Sequence, residues 1–105
     1  MEKDEYGKIG KGVSLYCINL CSWGDSGDWE VFPSEELTLP IKELVAILSE
    51  KGWTVVASGE TVILAGQGQQ KITLFRSGRI IIERVRPDRK DIALHIASDI
   101  LTGYL

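Results

Sequence analysis

Hydrophobic and polar positions alternate along residues 13–22, and this period of two predicts a β-strand. The odd-numbered positions share one face of that strand: Val13, Leu15, Cys17, Asn19 and Cys21. The even-numbered positions share the other face: Ser14, Tyr16, Ile18 and Leu20. Because both faces are partly apolar, the pattern does not show which face meets solvent.

Residues 23–38 and 40–51 differ in pattern and predict a loop followed by a helix. The first segment has Gly24, Gly27, Pro33 and five acidic residues, which favours a long loop. Loops of this length in compact domains are uncommon and often functional. The second segment starts at Pro40 and stops before Gly52, and its apolar residues recur at helical spacing: Ile41, Leu44, Val45 and Leu48.

The rest of the chain predicts four strands and a second helix. The strands are short, rich in β-branched residues and separated by turns, with the bounds 53–58, 61–66, 70–76 and 79–85. Gly59-Glu60 and Ser77-Gly78 are the tight turns of two hairpins. A helix over 87–102 follows, opened by Pro87 and ended by Gly103.

The predicted order is β-α-β-β-β-β-α, an α+β fold with one five-stranded antiparallel sheet and two helices. We expect residues 1–12 to form an N-terminal tail and residues 13–105 to form a single domain, because 105 residues is an ordinary domain length. The first twelve residues carry charges but no apolar run, so we expect no signal peptide, no membrane span and a cytoplasmic protein.

The segment ITLFRSGRIIIERVR at residues 72–86 resembles one repeat of the TATA-box-binding protein family. An apolar strand ends in Phe, a Ser-Gly turn and a basic residue follow, and a second apolar strand leads into a helix. The element order over 13–103 also matches that repeat. The resemblance implies a curved sheet with both helices on its convex side and a concave face left free for binding.

Carried over by position, the resemblance assigns a face to each residue of this hairpin. Phe75 matches a phenylalanine that the family wedges between DNA bases. It would share the concave face with Thr73, Arg79, Ile81 and Glu83. The alternate residues would face the helices: Ile72, Leu74, Ile80 and Ile82. The chain holds one repeat, so a saddle requires a dimer, and no Phe stands near Ser58 where a second wedge belongs.

The charge distribution modifies this expectation. The net charge is −3 and the isoelectric point about 5.1, which disfavours binding to nucleic acid. Residues 13–67 hold eight acidic residues against two basic ones, whereas residues 68–105 hold seven basic residues against four acidic ones. Such a polarised chain favours pairing with itself or with a protein partner.

We therefore predict a non-catalytic, homodimeric binding module without metal or cofactor. Its predicted binding residues lie on one sheet face: Val13, Leu15, Cys17, Asn19, Lys71, Thr73, Phe75, Arg79 and Ile81. Aromatic residues of the predicted loop form a second interaction patch: Trp23, Trp29 and Phe32. No Walker, Gly-x-Gly-x-x-Gly or Gly-x-Ser-x-Gly motif is present.

Two alternatives remain open. The first is a nucleic-acid-binding protein that uses Phe75 and the basic residues around the Ser77-Gly78 turn: Lys71, Arg76, Arg79, Arg84, Arg86 and Arg89. The second is a thiol or metal protein that uses Cys17 and Cys21 on one strand face. Two further features have simple interpretations, a solvated acidic turn at Asp25, Asp28 and Glu30 and a surface histidine at His95.

Overall fold

The computed structural model describes residues 12–105, and it confirms an α+β fold with one antiparallel sheet and two helices. The elements in chain order are β1 (Leu15–Trp23), β2 (Ser26–Pro33), α1 (Ile41–Glu50), β3 (Thr54–Ser58), β4 (Val62–Gln67), β5 (Gln70–Phe75), β6 (Ile80–Val85) and α2 (Lys90–Leu101). Residues 1–11 of the predicted tail lie outside the described residues. Neither helix is long and apolar enough to span a membrane, as far as residues 12–105 are concerned.

The sheet has six strands rather than the predicted five, because β2 forms where the sequence predicted a loop. The strand order is β1-β2-β6-β5-β4-β3, so β2 pairs with both β1 and β6. Its side chains do alternate, but Gly27, Pro33 and the acidic residues hide that period in the sequence. The strand also separates β1 from β6, which changes the element order on which the family resemblance was partly based.

One face of the sheet is buried under both helices and forms the core. The buried strand residues lie side by side across neighbouring strands, as in the row Val31, Ile80, Leu74 and Ile63 and the row Ile82, Ile72 and Ala65. The helix α2 packs on β1, β2 and β6, and α1 packs on β3 and β4. Both helices bury apolar side chains in this single core: Leu44, Leu48, Ala93, Ala97, Ile100 and Leu101.

The predicted helix bounds hold to within one residue at each end of α1, but not at the start of α2. The first helix ends at Glu50, and Gly52 adopts a positive φ of 91° just beyond it, as the sequence predicts. The second helix begins at Lys90 instead of Pro87. The backbone N–H of Asp88 donates to the carbonyl of Asp25, which ties the start of the predicted helix to the β1–β2 hairpin. The β3–β4 turn also includes one residue more than predicted, Thr61.

Asp88 holds the β1–β2 hairpin against the start of α2. Its Oδ1 accepts a hydrogen bond from the Trp29 indole N–H at 2.8 Å, and its Oδ2 accepts one from the Ser22 hydroxyl at 2.8 Å. The carboxylate lies directly over Gly27, where an added Cβ would be 2.1 Å from Oδ1. Glycine is therefore required at position 27 because of this close approach.

We expect Gly27→Ala to lower the free energy of unfolding by about 1–3 kcal/mol, since the new methyl group displaces the Asp88 carboxylate. In an Asp88→Ala background the same change should cost much less, because the colliding group is gone. Urea unfolding of the four proteins in this double-mutant cycle measures both values. An equal cost in the two backgrounds would show that the approach of Asp88 is not the cause.

The C-terminal residues pack against α1 through a phenol. The Tyr104 hydroxyl donates a hydrogen bond to the Glu43 carboxylate, and this bond raises the pKa of Tyr104 to about 12. An unfolded tyrosine ionises near 10. Since the folded pKa is the higher one, the stabilisation is fully present below pH ~10 and is lost as the pH rises towards 12.

Replacing Tyr104 by Phe should lower the free energy of unfolding below pH ~10, where the bond to Glu43 stabilises the fold, and should remove that part of the alkaline pH dependence. Absorbance titration of the native protein and of Tyr104→Phe should differ by one phenol that titrates near 12. A difference titration centred near 10 instead would mean that the bond to Glu43 is not formed in solution.

Candidate functional site

The second face of the sheet, here called the open face, lies opposite both helices. The pairing register assigns these strand residues to it: Tyr16, Ile18, Cys21, Asp28, Glu30, Phe32, Val62, Leu64, Lys71, Thr73, Phe75, Ile81 and Glu83. Its central row runs across five strands through Ile18, Glu30, Ile81, Thr73 and Leu64. The open face therefore mixes apolar and charged side chains.

The exposed apolar side chains concentrate on β1, the edge strand at one end of the sheet, where Tyr16 and Ile18 belong to the open face. Four of the six large apolar residues that are exposed within 12–105 belong to this strand: Tyr16 at 54%, Ile18 at 49%, Leu20 at 47% and Trp23 at 58%. The other two are Val56 on β3 and Leu64 on β4. Because β1 is an edge strand, its apolar side chains have a neighbouring strand on one side only.

Charges in the middle of the open face are neutralised within the chain. The Arg79 Nε lies 2.9 Å from Glu30 Oε2, and its guanidinium carbon lies 4.4 Å from the centre of the Phe75 ring. Lys71 of β5 stands opposite the acidic Glu83 of β6 in the strand register. Beside them, the rings of Tyr16 and Phe32 contact each other with centroids 6.1 Å apart. The centre of the face is therefore not a free cationic surface.

The structure places part of the predicted sheet-face set together and corrects the rest. Lys71, Thr73, Phe75, Arg79 and Ile81 lie on the open face, as expected. The members from the first strand lie on the helix-covered face instead: Val13, Leu15, Cys17 and Asn19. Alternation separates the two sets correctly from Val13 to Asn19, but both sets are partly apolar, and only pairing with β2 shows which set faces the helices.

The two cysteines do not share a face, in contrast to the prediction. Cys17 pairs with Val31 of the core, whereas Cys21 pairs with Asp28 of the open face. A β-bulge at Leu20 inserts one residue between them and reverses the alternation. Both thiols are free, and burial raises the pKa of Cys17. The thiol alternative thus has no pair of thiols on one side of the strand.

The aromatic residues of the predicted loop do not form one patch. Trp29 lies on the helix-covered face and binds Asp88, while Phe32 lies on the open face against Tyr16. Trp23 is exposed at the end of β1. The prediction failed because a strand divides its residues between two faces, which a loop need not do.

The acidic residues of β2 and its turn bind donors of this chain. Asp25 faces Arg86 at 3.6 Å and Glu30 faces Arg79. Asp28 accepts a hydrogen bond from the backbone N–H of Arg84, which has a positive φ of 61° at a bulge in β6.

Within 12–105 no three His, Cys, Asp or Glu side chains are grouped so that they could hold a metal ion. His95 is exposed on α2, as expected.

A cleft that sequence reasoning missed lies beside Phe75. It has a volume of about 470 Å³ and is lined by Glu36, Leu37, Thr38, Thr61, Phe75, Arg76 and Ser77. The cleft exists because the segment before α1 docks on the β5–β6 turn, with Leu37 and Leu39 N–H groups donating to the carbonyls of Ser77 and Arg76. No local sequence signal reports this long-range docking.

Comparisons with protein families, with curated proteins and with solved structures find no match to this chain. The resemblance of residues 72–86 to a TATA-binding repeat therefore stays a prediction. The candidate site is therefore described by its geometry alone. It is an open face with neutralised charges at its centre and exposed apolar residues along β1.

The bulge at Leu20 places the two thiols in different surroundings and so predicts different rates of alkylation for Cys17 and Cys21. In dilute protein, Cys21 should react with iodoacetamide about tenfold faster than Cys17, because Cys21 is exposed whereas burial raises the pKa of Cys17. The rates are measured by mass spectrometry on Cys17→Ser and Cys21→Ser, each of which keeps one thiol. Equal rates would contradict the placement of the two cysteines on different faces.

Proposed function

We propose that this protein is a non-catalytic interaction module that forms a homodimer through the β1 end of its open face. The observation that carries the proposal is the concentration of exposed Tyr16, Ile18, Leu20 and Trp23 on one edge strand. Contiguous exposed apolar surface on a soluble protein marks an interaction site. Aromatic residues such as tyrosine and tryptophan are also enriched among residues that dominate binding energy.

Electrostatics favours a second copy as the occupant of this surface. Residues 15–23 contain no charged side chain, so a symmetric contact between two copies of β1 brings no like charges together. Elsewhere the chain carries a net charge of −3, which disfavours close contact between most other pairs of identical surfaces. An uncharged apolar surface also offers no complement to a highly charged partner.

The nucleic-acid alternative has weaker support in the geometry. It needs cationic side chains that are free to replace counterions on phosphate. Arg79, Arg86 and Arg89 each lie within 4 Å of a carboxylate of the same chain, at Glu30, Asp25 and Asp91. Salt-sensitive retention on an immobilised oligonucleotide, lost in Phe75→Ala, would be the result that favours this alternative over self-association.

The homodimer is tested by placing a charge at the centre of the proposed interface. Ile18→Lys should raise the dissociation constant of the dimer at least tenfold, about 1.4 kcal/mol, because it buries an ammonium group. Val56→Lys is the matched control on the opposite edge strand, and it should change the constant less than twofold. Sedimentation velocity from micromolar to millimolar concentration measures both values.

Each result of this comparison has a definite meaning. A mass of 11.6 kDa at all concentrations would overturn the homodimer. A dimer that is weakened by Val56→Lys but not by Ile18→Lys would move the interface to the β3 end of the sheet. At concentrations where the native protein is monomeric, both variants should keep its thermal stability, since positions 18 and 56 are exposed.

A further inference from the structure

We infer that the two copies join edge to edge, with β1 antiparallel to β1 of the second copy in one continuous twelve-stranded sheet. The inference rests on the proposed homodimer and specifies its geometry. In this arrangement the two copies complete each other's edge through backbone hydrogen bonds, and their open faces merge into one surface. The occupant of the edge is therefore a second copy of this chain.

The sheet has two edges within the described residues, and β1 is the more available of them. Its nine residues include a regular stretch of five, Leu15–Asn19, before the bulge at Leu20, whereas β3 at the other edge has five residues in all and is bulged at Val56. Natural edge strands are usually protected by lysine, proline or short length. Residues 15–23 contain no lysine and no proline. The free backbone groups of this strand are thus the best template for another strand.

The pairing of β1 with β2 shows which backbone groups of β1 are free. The Ser34 N–H donates to the Ser14 carbonyl at 2.7 Å, and Leu15 stands opposite Pro33, which has no N–H to donate. Hydrogen-bonded and non-hydrogen-bonded positions alternate along an antiparallel pair. The N–H and C=O groups of Leu15, Cys17 and Asn19 therefore point outwards, away from β2.

These outward groups determine the register of the proposed dimer. The bulge at Leu20 limits the regular part of β1 to Leu15–Asn19, whose centre is Cys17. A two-fold axis at Cys17 places Leu15 opposite Asn19 of the second copy, and all three outward residues then form hydrogen-bonded pairs. On the open face the same register places Tyr16 opposite Ile18 of the second copy, twice by symmetry.

The Tyr16–Ile18 pairs account for two of the four exposed apolar side chains of β1, those in its regular part. They occupy non-hydrogen-bonded positions, where side chains on adjacent antiparallel strands come closest. Aromatic residues opposite β-branched residues are favourable cross-strand pairs. Tyr16 already packs on Phe32 of β2, so the dimer would extend this apolar contact from one copy to the next.

The native thiols test this register directly. In the proposed pairing the Cα atoms of the two Cys17 residues are about 5.5 Å apart, which a disulfide can bridge. The two Cys21 residues would be about 26 Å apart, because eight residues of extended strand separate their levels. With diamide as the oxidant, Cys21→Ser should form covalent dimer at least tenfold faster than Cys17→Ser.

The expected order of cross-linking rates is the reverse of the order in which the two thiols are exposed to solvent. Cys21 is exposed and Cys17 is partly buried, so random collisions between copies would cross-link Cys21 faster. Faster cross-linking through Cys21, in a protein that sedimentation shows to be dimeric, would overturn the β1–β1 geometry. The homodimer itself would then stand with another contact, whereas the absence of any dimer would overturn both proposals.

A second pair of variants does not depend on access to Cys17. In a background with both cysteines replaced by serine, Tyr16→Cys is mixed with Ile18→Cys and oxidised. The mixed disulfide should exceed either homodimeric disulfide at least tenfold by mass spectrometry, since positions 16 and 18 face each other only between copies. A statistical mixture of the three products would contradict the register centred on Cys17.

Discussion

The fold depends on one constraint: the two helices bury only one face of the sheet. Alternate side chains of a strand point to opposite faces, so covering Val31, Ile80 and Leu74 with both helices leaves the other face without a helix. Each fully buried aliphatic side chain stabilises the fold by about 1.5–3 kcal/mol, and this drives the helices to the same side. The open face is therefore a direct result of how the core forms.

The open face is not uniform, and its differences determine what it can bind. At its centre, Arg79 links Glu30 of β2 to the ring of Phe75 on β5, so charge and aromatic surface satisfy each other within one chain. At the β1 end, no charged residue limits association and apolar side chains are exposed. Self-association through this end follows from that asymmetry, while the neutralised centre gives little attraction for phosphate.

The sequence predicts local elements well and long-range placement less well. The strands within 70–76 and 79–85 are predictable because alternation and a Ser-Gly turn are local signals, and the faces of Phe75 and Ile81 follow from them. Strand β2 is not predictable from the sequence because its glycine, proline and acidic residues are typical of loops, and because its partner β6 lies about fifty residues further along the chain. The face of Cys21 depends on the bulge at Leu20, which only the partner strand reveals.

The position of β2 has a consequence for how the chain folds. The sheet consists of a hairpin, β1–β2, and a four-stranded meander, β3 to β6, and these meet only where β2 lies against β6. Each part is built from contacts between near neighbours in the chain, so both are able to form early. Their seam closes a long loop and carries the entropic cost of doing so. The pairing of β2 with β6 therefore completes the core and the open face together.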